Sequence, residues 1–205
     1  MIVLLHSLLR DRDRVAACLY HMCSPDFRGE VLYSLSGLRS VYPDLYERER
    51  VKYEGREGVL GYVVPGLDVT WAATVNLSAL HPKYLVAERR RLGVPFSSLL
   101  TRRVLEIPVE RLSGHDAVAY TSSTHWINSS PNDPTAPTEP PIEDFFPFDS
   151  ATHREPTTVP LLHTEYLCRQ TERGERALGF VFIPHVLVAS AIDVSGLVAR
   201  ELESS

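Results

Sequence analysis

Eight of the fifteen prolines in this 205-residue chain fall between Pro131 and Pro160. Proline locks φ and gives up a backbone donor, so regular structure is interrupted wherever it recurs. Apolar content falls over the same stretch, apart from the cluster Phe145-Phe146-Pro147-Phe148. The stretch is too long for an ordinary connection. It reads as a functional loop or lid, or as a disordered insert, at about 122–160. It does not divide the chain, because only about 45 residues follow it, too few for a stable second domain. The expectation is a single domain over 1–205 that carries this loop.

The remaining composition is that of a globular protein, with 44% hydrophobic and 23% charged residues and a formal net charge of −5. No apolar run approaches the ~18 residues of a membrane helix. The opening MIVLLHSLLRDRDR lacks a basic segment ahead of its short apolar run, so it does not read as a signal peptide. Cys18, Cys23 and Cys168 are odd in number and carry no CxxC spacing. A disulfide framework or zinc knuckle is therefore not expected, and a reduced, cytoplasmic setting is. Nineteen of the 21 basic residues are arginine; Lys52 and Lys83 are the exceptions. Codon bias explains such a count, and a phosphate-rich ligand is the other reading, because arginine binds phosphate bidentately.

The apolar pattern predicts a strand over 2–6 and then a helix over 11–23, capped by Asp11. A second helical stretch carries Leu32, Leu35, Leu38, Val41, Leu45 and Tyr46, interrupted at Pro43. Strands are expected at 59–64, 69–77, 103–109, 116–121, 163–168, 178–183 and 186–194. A short helix led by Pro82 and stopped by Gly93 lies among them. The order predicts an α+β domain, a mostly antiparallel mixed sheet with flanking helices. It lacks the regular alternation of a doubly wound fold.

Neither GxGxxG, GxxxxGK[ST], GxSxG nor HExxH occurs. The eight histidines do not pair at i,i+4, and the spacing of His163, Glu165 and His185 gives a metal site no positive support. No metal is expected. Three short segments do invite a common reading. The first is strand-His6-Ser7 ahead of a capped helix, suited to holding ribose hydroxyls. The second is Thr74 to Tyr84 (TVNLSALHPKY), a strand ending in Ser78 and followed by a Pro-led turn with His81, Lys83 and Tyr84. The third is His163 to Cys168 (HTEYLC), with Glu165 among apolar residues, where a carboxylate is costly unless paired or used. Leu19-Tyr20-His21-Met22-Cys23-Ser24 is a rival for the first motif. His6 is preferred because Val15 to Cys23 reads as a helix face.

In this order the three segments resemble the ADP-ribosyltransferase fold, in the branch that holds the DNA-thymidine ADP-ribosyltransferase toxins and their relatives. VLLHS is similar to the branch's first strand, which ends in a histidine and a hydroxyl. VNLSALHPKY is similar to its NAD-contacting turn, with His81 and Lys83 standing where the family carries arginine. Thr164-Glu165-Tyr166-Leu167 is similar to the strand of the catalytic glutamate, and Phe182 to Val194 to the closing strand pair. About a third of the chain is covered.

The resemblance implies NAD as substrate, Glu165 and His6 as catalytic residues, and His6, Ser7, Ser78, His81, Lys83 and Tyr84 as NAD-binding residues. A glutamate would stabilise the oxocarbenium-like state of nicotinamide loss. The 131–160 loop would exclude water, and Tyr46, Tyr53 and Trp71 are stacking candidates. A macromolecular acceptor is implied, nucleic acid or protein, with Arg89-Arg90-Arg91 and Arg102-Arg103 as a basic face. The competing expectations are a small-molecule enzyme of secondary metabolism, metal-dependent through His163, Glu165 and His185, and a non-catalytic binding protein of the same fold.

Overall fold

The structure is a computed structural model that describes residues 17–24, 27–55, 57–95, 103–123 and 139–202. The expected strand over 2–6, with His6 and Ser7, lies outside the described residues, as do Arg102 and residues 131–138.

The core is one antiparallel sheet of seven strands. They are β1 (Cys18–Cys23), β3 (Val75–Ser78), β4 (Arg103–Pro108), β5 (Ala117–Tyr120), β6 (Phe145–Pro147), β7 (His185–Val188) and β9 (Arg200–Glu201), in the order β6-β5-β7-β3-β1-β4-β9. β2 (Val31–Leu32) and β8 (Ile192–Asp193) pair separately as a ribbon. Among the described residues five α-helical segments accompany them: α1 (Leu35–Val41), α2 (Pro43–Arg50), the single turn α3 (Gly58–Gly61), α4 (Pro82–Leu92) and α5 (Leu161–Glu172). The α+β expectation stands.

Alternation along the strands builds the two faces. Leu19 and Cys23 of β1, Leu105 and Ile107 of β4, and Val186 and Val188 of β7 pack on one face, under Leu32 and Ile192 of the ribbon. Tyr20 and Val104 point the other way and meet Val86 of α4. Further along that sheet, Val118, Tyr120 and Leu187 pack on Val59, Val64 and Trp71. α4 begins where expected. Pro82 is its first residue, His81 Nδ1 accepts from the Lys83 N–H, and Gly93 ends it at φ +67°. A left-handed residue of this kind suits glycine, which has no Cβ to clash.

Several elements differ from expectation. Residues 18–23 form a strand, not the end of a helix. Their apolar positions fit a 3.6-residue period, but all six residues pair with β4, from Cys18↔Pro108 to Cys23↔Arg103. That ladder and burial on both faces override local propensity. Residues 163–168 lie in helix α5, not in a strand. His163, Tyr166 and Leu167 are the buried positions, at helical spacing. Residues 59–64 give α3 and an isolated bridge from Val63 to Thr70, and 178–183 run through bends and turns. The described part of the proline-rich stretch packs on the sheet. Residues 145–147 add edge strand β6 to β5. Beyond it, the Glu155 carboxylate accepts from the Cys18 N–H at 2.5 Å and from the Tyr20 hydroxyl, tying the stretch to β1.

Leu19 is fully buried and sits opposite Ile107 in the middle of the sheet. Leu19→Ala should cost about 2–5 kcal/mol of unfolding free energy, the range for truncating a packed leucine. Urea denaturation measures it, and a loss under about 1 kcal/mol would contradict a central place for β1.

Candidate functional site

β1 and β3 share a single Cα pair, Tyr20↔Ser78. Beyond it the two strands part, and a cleft of about 940 Å³ opens, lined by His21, Met22 and Cys23 on one side and Val75 and Asn76 on the other. Parted strands deprive backbone groups of ladder partners, and such groups must be satisfied elsewhere. His21 Nδ1 donates to the Asn76 carbonyl at 3.1 Å, which bridges the gap and orients the ring. The Asn76 amide donates to the Thr74 carbonyl and hydroxyl, both at 3.4 Å.

The roof of the cleft comes from the segment after β2. α1 has no buried residue and α2 has one, Leu45. Their apolar side chains Leu35, Leu38 and Leu45 line the cleft instead, beside Tyr33, Tyr42 and Tyr53. Tyr33 meets Tyr42 edge-on at 6.2 Å, and the Arg28 guanidinium lies 5.7 Å from the Tyr42 ring centre. Trp71 closes the floor and packs edge-on against Tyr120 at 5.4 Å. Aromatic walls of this kind accept flat rings. Of the three stacking candidates, Tyr53 and Trp71 line the cleft. Tyr46 is not among the lining residues.

Of the predicted site residues that are described, only Ser78 lines the cleft. Ser78 reaches the cleft wall, but its hydroxyl donates to the Leu80 carbonyl at 2.7 Å and accepts from the Leu80 N–H at 3.2 Å, closing a turn. His81, Lys83 and Tyr84 are not among the lining residues. His81 caps α4 through Nδ1, stands 3.6 Å from Glu106 through Nε2, and its ring lies 4.6 Å from that of Tyr20. Lys83 lies over the Tyr84 ring at 5.2 Å. Glu165 is on the outer face of α5, half exposed and 3.8 Å from Arg169 one turn on. The expectation of a carboxylate on an apolar strand is thereby corrected. His6 and Ser7 lie outside the described residues. The rival motif reaches the cleft: His21 at the parting of the strands, and Ser24 just beyond β1, both line it.

The far wall, Arg176 to Phe182, was not anticipated as a site element. It is pinned from behind by buried polar side chains. Arg89 is 3% exposed and donates to the carbonyls of Ala177 at 3.1 Å, Leu178 at 2.7 Å and Pro95 at 2.9 Å. The Leu178 N–H donates to the Tyr166 hydroxyl at 2.8 Å, and His163 Nδ1 donates to the Val181 carbonyl at 2.6 Å. Phe182 is held at φ +59°, a left-handed conformation that a bulky residue adopts only when its surroundings impose it. The signal for this clamp was the His163–Tyr166 spacing, which suits one helix face as well as it suits a strand.

His163 thus holds the wall through its backbone. His185 Nδ1 donates to the Ile183 carbonyl at 2.7 Å. Among the described residues no three histidines, cysteines or carboxylates are grouped to hold a metal ion, so His163, Glu165 and His185 do not assemble into one. The basic runs also change meaning: Arg89 is buried and Arg91 pairs with Glu88 at 2.8 Å. All three cysteines are free thiols, and burial together with the nearby Glu155 carboxylate pushes Cys18 up to about 11. No helix among the described residues is long and apolar enough to cross a membrane. No protein-family model, curated protein or solved structure matches the chain.

Desolvation lowers both His163 and His185 to about 4 from an ordinary 6.5. The unfolded chain then takes up protons first as pH falls, so stability is full above about 6.5 and is lost on acidification toward 4. Fully buried His163 should contribute roughly 3 kcal/mol to that loss. Unfolding free energy measured from pH 7.5 to 4.5 should fall in this window, and His163→Gln should flatten the slope. An unchanged slope in the variant would remove His163 from the account.

Proposed function

We propose that this chain is an NAD-consuming ADP-ribosyltransferase whose dinucleotide occupies the cleft between β1 and β3. The observation that carries the reading is His21, at the point where the two strands part, with its ring oriented by the Asn76 carbonyl and a serine, Ser24, just beyond the strand. This strand–histidine–hydroxyl order is the one that the resemblance to the transferases asks for, met at 19–24 instead of 2–7. The volume of about 940 Å³ suits a two-ring ligand. Aromatic side chains at roof and floor suit the adenine and nicotinamide rings.

The chemistry follows from the lining. Nicotinamide departs as a neutral base when the N-glycosidic bond breaks, leaving positive charge on the ribose. A carboxylate held near that carbon lowers the barrier. Among the described lining residues the carboxylates are Glu49, which pairs with Lys52, and Glu54. One of these takes the role first expected of Glu165. His21 fixes the ribose. The acceptor of the ADP-ribosyl group is a macromolecule, nucleic acid or protein.

The test is incubation with NAD labelled in the adenosine half, in the presence of DNA, RNA and protein, while following nicotinamide release and label transfer. Wild type should do both. His21→Ala should reduce nicotinamide release about a hundredfold, the scale of a misplaced reacting group. Either Glu49→Gln or Glu54→Gln should abolish it, and Glu165→Gln should leave it unchanged. Absence of both signals in wild type would overturn the reading.

A further inference from the structure

Four cationic side chains line the cleft among the described residues: Arg28, Arg48, Lys52 and Arg176. Three are already matched. Arg28 lies 2.5 Å and Arg48 3.8 Å from the Asp44 carboxylate, and Lys52 pairs with Glu49. Among the described residues Arg176 has no carboxylate partner and no side-chain hydrogen bond. It is also the first residue of the pinned wall. The carbonyls of the next two residues, Ala177 and Leu178, are both held by buried Arg89. An unmatched guanidinium is therefore presented to the cleft from a backbone that is fixed in advance. Guanidinium keeps its charge at all working pH and meets phosphate oxygens in a fork.

We propose that Arg176 is the phosphate-binding residue of the cleft, so that the ligand presents a phosphate or pyrophosphate to the Arg176–Phe182 wall. This rests on the cleft being the ligand site and deepens the NAD reading by naming the group that meets the anionic centre of the ligand. The roof is excluded from that role because Asp44 and Glu49 neutralise its cations. The adenine and nicotinamide rings then extend to either side of Arg176, over the aromatic walls.

Calorimetric titration with NAD, ADP-ribose and ADP, at low and high salt, tests this. Wild type should bind the phosphorylated probes, more weakly as salt rises. Arg176→Gln should weaken all three by about ten- to a hundredfold, the range of a lost charged hydrogen bond. It should also flatten the salt dependence, and Arg176→Lys should recover part of the affinity. An unchanged unfolding temperature in Arg176→Gln keeps the loss local. Wild-type affinity in Arg176→Gln overturns the proposal, and so does failure of wild type to bind any of the three probes. Arg176-dependent binding without nicotinamide release would leave the phosphate site standing and sink the transferase reading. Nicotinamide release with binding indifferent to Arg176 would do the reverse.

Discussion

The parting of β1 and β3 is the constraint from which the rest of the site follows. A seven-stranded antiparallel sheet is at its most stable when every central ladder is complete, because buried backbone groups are costly to leave unpaired. Here the ladder between two central strands stops after one pair. The sheet tolerates this because side chains fill in, with His21 reaching the Asn76 carbonyl and Asn76 turning back to Thr74. β1 remains anchored by six consecutive pairs with β4, and β3 by four with β7. Each half of the sheet is complete in itself, and the opening lies between two well-held edges. A cleft built this way is preformed, and its polar groups are oriented before any ligand arrives.

The elements around the opening divide into a firm wall and a lightly packed roof. Arg89, His163 and Tyr166 hold the 177–181 backbone through hydrogen bonds from buried positions. A buried arginine that meets only carbonyl oxygens is expensive to keep. Its three carbonyl contacts all lie in two loops, so its effect is to fix loop geometry rather than to add core packing. The roof is the opposite. α1 buries no residue, and Arg28 and Arg48 reach Asp44 across the surface, where ion pairs contribute little. Segments with few buried apolar contacts open at low free-energy cost. A ligand entering the cleft would meet a fixed polar wall and an adaptable apolar cover.

Much of the fold was legible from residue pattern. Pro43 at the start of α2, Pro82 and Gly93 bracketing α4, and the alternation along 103–109 and 116–121 all correspond to observed elements. The site was less legible, for one physical reason seen twice. Residues 18–23 and 163–168 are short segments whose apolar positions satisfy both the 2-residue and the 3.6-residue period. Only long-range pairing decides between them. At 18–23 the partner is β4, some 85 residues further along, so the local pattern alone favours a helix where the chain forms a strand. At 163–168 there is no strand partner, and the side chains of His163, Tyr166 and Leu167 bury as a helix stripe. Each bears on a candidate motif. The strand at 18–23 removes the helix-face argument against His21, and the helix at 163–168 leaves Glu165 half exposed rather than in the core.

The distribution of arginine carries the same lesson about placement over count. Nineteen arginines in a chain of net charge −5 look like either codon bias or a taste for phosphate. Position separates the two. Arg169 is spent on Glu165 within α5, and Arg28 and Arg48 on Asp44, exposed pairs that lysine would serve as well. Those fit bias. Arg89 does not, because three carbonyl oxygens in different directions require a planar group with several fixed donors, which a lysine ammonium cannot supply with the same geometry. The chemical choice of arginine is therefore visible at the wall of the cleft and nowhere in the run Arg89-Arg90-Arg91 as a run. The triplet that read as a basic face is split by helix geometry, with Arg89 turned into the protein and Arg91 matched at the surface. A patch of sequence charge becomes a patch of surface charge only when the fold leaves its side chains together and unpaired, and α4 does neither.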